Sequence, residues 1–143
     1  EAQAAAALPY RAVEGDTVLI VEDDPDVRDI AVATFEEMGF RVLQAGNAKA
    51  ALDLLGDAAE TDRLRLLFTD IVMPGGMSGW ELADEARRIR PGLPVVFSSG
   101  YALETLVEQG RAHAQSIVLT KPYRNAELAR RLREAFAGAP LPS

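Results

Sequence analysis

Residues 17–24 read Thr17-Val-Leu-Ile-Val-Glu-Asp-Asp24: a short apolar, β-branched run that ends abruptly on three acids. The run does not alternate apolar with polar. That is the pattern of a strand covered on both faces, as in a parallel sheet. Leu66-Leu-Phe68, Val95-Val-Phe97 and Ile117-Val-Leu119 repeat it, and Arg41-Val-Leu-Gln-Ala45 is a weaker, more amphipathic version. Helical periodicity fills the gaps. Val27, Ile30, Ala31, Phe35 and Met38 share one face before Gly39, and Ala48, Ala51, Leu52 and Leu55 share another before Gly56. Trp80, Leu82, Ala83, Ala86 and Ile89 precede Pro91-Gly92, and Leu103, Leu106 and Val107 precede Gly110. Leu128, Leu132, Ala135 and Phe136 follow Asn125, which is placed to serve as an N-cap. Five β–α units in this order predict an α/β fold: a doubly wound parallel sheet with helices on both faces and right-handed crossovers. An all-α bundle would need helices of only about four to six residues at the apolar runs, too short to hold.

Composition narrows the rest. The chain has 143 residues, a length that suits one domain. It contains no cysteine, which excludes a disulfide scaffold, thiol catalysis and cysteine-ligated metals, and fits a reducing, cytoplasmic setting. Fifteen basic against 22 acidic residues leave a net charge of −7, which repels phosphate backbones and argues against direct nucleic-acid binding. No apolar run approaches the ~18 residues of a membrane span, so no membrane contact is expected. Residues 1–15 are Ala-rich, carry Pro9 and Gly15, and lack the basic start of a signal peptide. They read as a linker from a preceding domain, residues 16–137 as the folded domain, and residues 138–143, with two prolines, as a flexible tail.

In an open parallel sheet, ligands bind beyond the carboxyl ends of the strands. The polar residues that follow the apolar runs are Glu22, Asp23 and Asp24, then Asp70, then Ser98, Ser99 and Gly100, then Lys121. If the first and third strands are neighbours, Asp23 and Asp70 meet with Glu22 beside them. Two carboxylates ~4 Å apart repel by about 4 kcal/mol at an effective dielectric of ~20. A hard divalent cation removes that conflict, and an all-oxygen donor set suits Mg²⁺ better than Zn²⁺. Capping accounts for Asp24, with Pro25 at the first helical position, but it does not account for Asp70. Opposite such a pocket, the Lys121 ammonium is suited to a carboxylate or phosphoryl oxygen, and Ser99 adds a hydroxyl donor. Together these make a phosphoryl-transfer set. There is no Gly-rich nucleotide loop, so the bound group should be small.

These residues closely resemble the receiver domain of two-component response regulators. The resemblance covers about residues 16–137 and is carried by Val18-Leu-Ile-Val-Glu-Asp-Asp24, Asp70-Ile-Val-Met-Pro74, Ser78-Gly79, Pro94-Val-Val-Phe-Ser-Ser-Gly-Tyr101 and Thr120-Lys-Pro-Tyr123. It implies a flavodoxin-like (βα)5 fold with five strands in the order 2-1-3-4-5. It implies that Asp70 accepts a phosphoryl group from a phosphohistidine on a histidine kinase or phosphotransfer protein. It further implies a Mg²⁺ site made by Glu22, Asp23, Asp70 and the main-chain carbonyl of Val72, with Ser99 and Lys121 holding phosphoryl oxygens and a cis Lys121–Pro122 bond. The usual partner face in such domains is the fourth helix, fifth strand and fifth helix. The six residues Pro74-Gly-Gly-Met-Ser-Gly79 make a loop one longer than usual. With Gly100-Tyr101 and Lys121-Pro-Tyr-Arg124, it resembles receivers attached to hybrid sensor histidine kinases, so the kinase core of the same polypeptide is a candidate partner.

Two departures stand out. Val118 occupies the position, three before the lysine, where the family usually has the aromatic ring of its switch. Tyr101 is the candidate substitute, against an ordinary packing role. Val72 stands where many relatives carry a polar side chain that orients attacking water. The competing readings are a Mg²⁺-dependent aspartyl-phosphate phosphohydrolase and a docking-only pseudo-receiver. The first needs an acid/base Asp where Val72 stands, and the second is opposed by intact Asp23, Asp70, Ser99 and Lys121. His113 is read as loop surface, Met73 and Met77 as loop packing, and Trp80 as partly buried. Arg87, Arg88 and Arg90, with Arg130, Arg131 and Arg133, are read as solvated or partner-contact edges.

Overall fold

Every residue of Thr17–Val21 is buried, and neighbouring residues feed opposite cores. Val18 and Ile20 pack into one cluster, while Leu19 and Val21 pack into another. Side chains alternate across a strand, so a strand buried on both sides is apolar along nearly its whole length. The computed structural model describes residues 10–137. Its five strands are β1 (Thr17–Val21), β2 (Arg41–Ala45), β3 (Leu64–Asp70), β4 (Val95–Ser99) and β5 (Val118–Thr120). They form one sheet in the order β2-β1-β3-β4-β5, and every pairing is parallel. The weaker run Arg41–Ala45 is an edge strand and is largely uncovered, whereas the other edge strand, β5, is buried at Val118 and Leu119.

Among the described residues, six helices flank the sheet: α1 (Pro25–Glu37), α2 (Ala48–Leu55), α3 (Ala58–Thr61), α4 (Gly79–Ile89), α5 (Leu103–Glu108) and α6 (Asn125–Ala137). Buried residues of α2, α4 and α5 join Leu67, Ile71 and Phe97 in one core. Those of α1 and α6 join Leu66, Phe68, Val96 and Leu119 in the other. Local signals start the helices where the site requires them. Asp24 caps α1 by accepting from the Asp26 and Val27 N–H groups, with Pro25 in the first turn. Ser78 and Glu81 form a reciprocal capping box at the start of α4.

Several expectations need correction. Val27 and Ile30 do not join the core face of α1, and Ile30 is 69% exposed. Ile89 and Val107 are likewise exposed at the ends of α4 and α5. Asn125 is the first residue of α6 rather than its cap; Arg124 precedes it, accepting from the Leu128 N–H and donating its own N–H to Glu127 Oε1 at 3.1 Å. The short helix α3 has no apolar periodicity to announce it. Asp57 caps it, Arg41 donates to the Glu60 carbonyl, and Arg90 donates to that of Thr61. From Tyr10 onward the chain lies against the fold, with the Tyr10 ring on Phe40 and Phe136 and the Ala12 N–H on the Met38 carbonyl. Residues 1–9 and 138–143, the bulk of the linker and the tail, lie outside the described residues. Among the described residues, no helix is long and apolar enough to cross a membrane.

Candidate functional site

The β1–β3 pairing sets Val21 opposite Thr69, so Glu22 and Asp70 emerge side by side at the carboxyl edge. The Glu22 N–H still pairs with the Ala45 carbonyl, holding this residue on the sheet and its side chain only 5% exposed. Asp70 closes β3 and is 7% exposed. Asp23 follows Glu22 and is exposed. Carboxylate oxygens of Glu22, Asp23 and Asp70 all lie within 4.8 Å of one another. Asp70 is 48 and 47 positions from Glu22 and Asp23 in sequence; only the adjacency of the two strand tips makes them a group.

Lys121 completes the cluster from the far side. Its N–H donates to the Ser99 carbonyl at 2.7 Å, and the Lys121–Pro122 bond is cis, as the resemblance implies. Its Nζ donates to Glu22 Oε1 at 2.9 Å and to Asp70 Oδ2 at 3.3 Å. Three carboxylates against one ammonium leave a local charge of −2 when all are ionised. Burial raises the Asp70 pKa from its ordinary 3.8 to about 6; Lys121 opposes this, while Glu22 and Asp23 add to it. Burial works to lower the Lys121 pKa, but the Glu22 hydrogen bond and the charges of Asp70 and Glu22 outweigh it, so the net shift is upward. Burial likewise pushes the neighbouring Tyr123 hydroxyl up to about 12, with Lys121 opposing. An oxygen-only donor set with an uncompensated double negative charge fits a hard divalent cation such as Mg²⁺.

The remaining expected residues stand around this group. Ser99 ends β4, one position past Ser98, which is opposite Asp70. Its Oγ accepts the Tyr101 N–H at 2.9 Å, leaving the hydroxyl proton to be donated elsewhere. Val72 lies two residues beyond Asp70 with its side chain 42% exposed. Gly79 is pressed on the same segment: its N–H donates to the Ile71 carbonyl at 2.8 Å. Val118 is buried in the cluster that holds Phe97 and Leu106. Trp80 packs its ring on Phe97 at 5.6 Å, and His113, exposed in its loop, meets the Trp80 ring edge-on at 4.8 Å. Met73 and Met77 pack on that core, as expected. One contributor carried no motif. Arg28 donates from Nη1 to the Glu22 carbonyl at 2.8 Å and from Nε to Gln44 Oε1 at 3.3 Å. A lone arginine in a polar first turn offers no sequence signal for such a contact.

The response regulator receiver domain family matches residues 18–133, across all five strands and this cluster. The chain belongs to that family. The receiver domain is 34% identical over 122 residues to the response regulator receiver protein CpdR of Brucella abortus, covering 85% of this chain and 98% of that protein. It is 33% identical over 119 residues to the sensor kinase CckA of the same organism, covering 82% of this chain but only 12% of that kinase. Among solved structures, a response regulator receiver protein from Sinorhizobium medicae superposes with a TM-score of 0.74 at 26% identity, covering 89% of this chain and 98% of the other. The family and the strand order agree with the reading of the sequence.

Proposed function

We propose that this receiver domain accepts a phosphoryl group from a phosphohistidine onto Asp70, in a Mg²⁺-dependent reaction, and thereby alters a protein-interaction surface. The observation that carries the reading is the Lys121 ammonium set between Glu22 and Asp70, with Asp23 closing a three-carboxylate group within 4.8 Å. An Asp70 carboxylate oxygen forms the O–P bond as the P–N bond to the donor imidazole breaks. The Lys121 ammonium, already against Asp70, pairs with the incoming phosphoryl oxygens, and the Ser99 hydroxyl donates its free proton to another. Glu22, Asp23, Asp70 and the Val72 carbonyl would hold Mg²⁺, which neutralises phosphoryl charge when bound. The donor is a histidine kinase or phosphotransfer protein, including the kinase core of the same polypeptide, in the cytoplasm.

Acetyl phosphate or beryllofluoride with Mg²⁺ tests this directly by intact mass. A stoichiometric adduct that vanishes in Asp70→Asn and in EDTA is expected. Rapid turnover of small phosphoesters would instead favour the phosphohydrolase, and absence of any adduct would favour the docking-only module.

Two further outcomes are expected. Val72 offers no polar group to orient water, so the acyl phosphate should be long-lived, and Val72→Asn should hydrolyse about tenfold faster, less than the ~10²-fold or more that a full general base supplies. Equal or slower hydrolysis in the variant would remove this role. An apolar groove beside Lys121, lined by Val27, Ile30, Pro122 and Tyr123, gives a donor protein somewhere to dock. Ile30→Glu should lower transfer from the cognate kinase at least about tenfold, the size of an interface anchor, while leaving labelling by acetyl phosphate unchanged. Equal loss with both donors would move the effect to the chemistry.

A further inference from the structure

We infer that Arg28 is a positioning residue for the cation site: by holding the Glu22 carbonyl it sets the direction in which Asp23 leaves the backbone. The inference rests on the Mg²⁺-dependent reading above. The last ladder bond at this edge is made by the Glu22 N–H, to the Ala45 carbonyl. The peptide that follows, between Glu22 and Asp23, lies beyond the strand. Its carbonyl takes a charged donor, Arg28 Nη1, at 2.8 Å. On the other side of Asp23, the Asp24 N–H donates to Glu22 Oε2 at 3.2 Å. Asp23 is thus gripped through the backbone on both sides. Its own carboxylate has no hydrogen-bond partner among the described residues, so the backbone alone directs it toward Asp70.

The guanidinium is itself fixed. Nε donates to Gln44 Oε1 on β2 at 3.3 Å, and the turn at Gly46 passes so close that a Cβ there would lie 3.0 Å from Nη1. One planar fork therefore ties the end of β1 to the end of β2. A lysine carries its donors on one nitrogen rather than on a rigid planar fork, so it does not present both bonds in this geometry. Outer groups that orient metal ligands typically change affinity 10–100-fold when removed.

The test is Mg²⁺ binding to the unphosphorylated domain by calorimetry, with Tm recorded for each variant. Arg28→Ala should raise the Kd for Mg²⁺ about tenfold. Arg28→Lys should recover only part of that, and Gln44→Ala should weaken binding less than Arg28→Ala does. Arg28→Gln, which keeps an amide donor, serves if the alanine variant does not fold. A Kd within about twofold of wild type in a folded Arg28 variant, with only Tm lowered, overturns the inference and leaves Arg28 a structural tie. The separate failure, of the cation reading itself, has a different signature: wild type would bind Mg²⁺ no better than Asp23→Asn.

Discussion

Asp70→Asn should make the metal-free receiver domain more stable at pH 7 while removing its adduct. The folded Asp70 ionises near 6, against 3.8 ordinarily, because burial and two neighbouring acids disfavour its charge. A carboxyl whose folded pKa is raised contributes its full stability below the unfolded value. It loses that stability as pH climbs through the folded value. The shift corresponds to about 3 kcal/mol, and the partial access of water at the strand tip reduces the usable part to about 1–2 kcal/mol. Asparagine keeps the shape and carries no charge, and Lys121 retains Glu22 as its partner. In EDTA, the variant should therefore melt higher than wild type by roughly 2–6 °C at pH 7 to 8. The gap should close as pH falls from about 6 toward about 4. Thermal unfolding across that range checks it, and a gap independent of pH would show that Asp70 carries no disfavoured charge. Saturating Mg²⁺ should narrow or invert the difference, since only a site with all three acids gains fully from binding.

Gly79→Ala should be the most damaging single-methyl change near the site. A Cβ there would sit 1.8 Å from the Asp70 carbonyl oxygen, 2.8 Å from its carbon and 3.0 Å from Ile71 Cα. All three are backbone atoms, so no side chain can swing away. Either the start of α4 or the end of β3 must move, against the Gly79–Ile71 hydrogen bond and the Ser78–Glu81 capping box. The expected loss is about 3 kcal/mol, at the upper end for overpacking. Adduct formation should slow as well, because the displaced backbone carries Asp70. Gly75→Ala and Gly76→Ala are the controls. Both glycines have open space but positive φ, 71° and 119°, so each should cost about 1–2 kcal/mol of backbone strain with nothing added by crowding. Urea unfolding of the three variants decides the matter; equal losses would mean that backbone conformation, not the close approach of α4 to Asp70, governs this loop.

The apolar runs were legible because strands buried on two faces carry few polar positions: β1 and β4 are buried end to end, and only Thr17, Ser98 and Ser99 at their ends are polar. The caps of α1 and α4 were local chemistry of the same kind, although only Asp24 was read from its residue type alone. Val27 and Ile30 misled the reading of α1, because periodicity reports which residues share a face and not whether a neighbour covers it. Helix α3 was missed because its support comes from Arg41 and Arg90, distant in sequence.

The order of residue types along the chain determined an α/β fold and put acids, a hydroxyl and an amine at strand ends, since periodicity and turn chemistry act over a few residues. Only the folded sheet decided that Lys121 would pair with Glu22 as well as Asp70, that Asp70 would be hard to ionise, and that Arg28 would hold the Glu22 carbonyl. Those depend on distances and dielectric between segments far apart in the chain, and strand register and burial fix both.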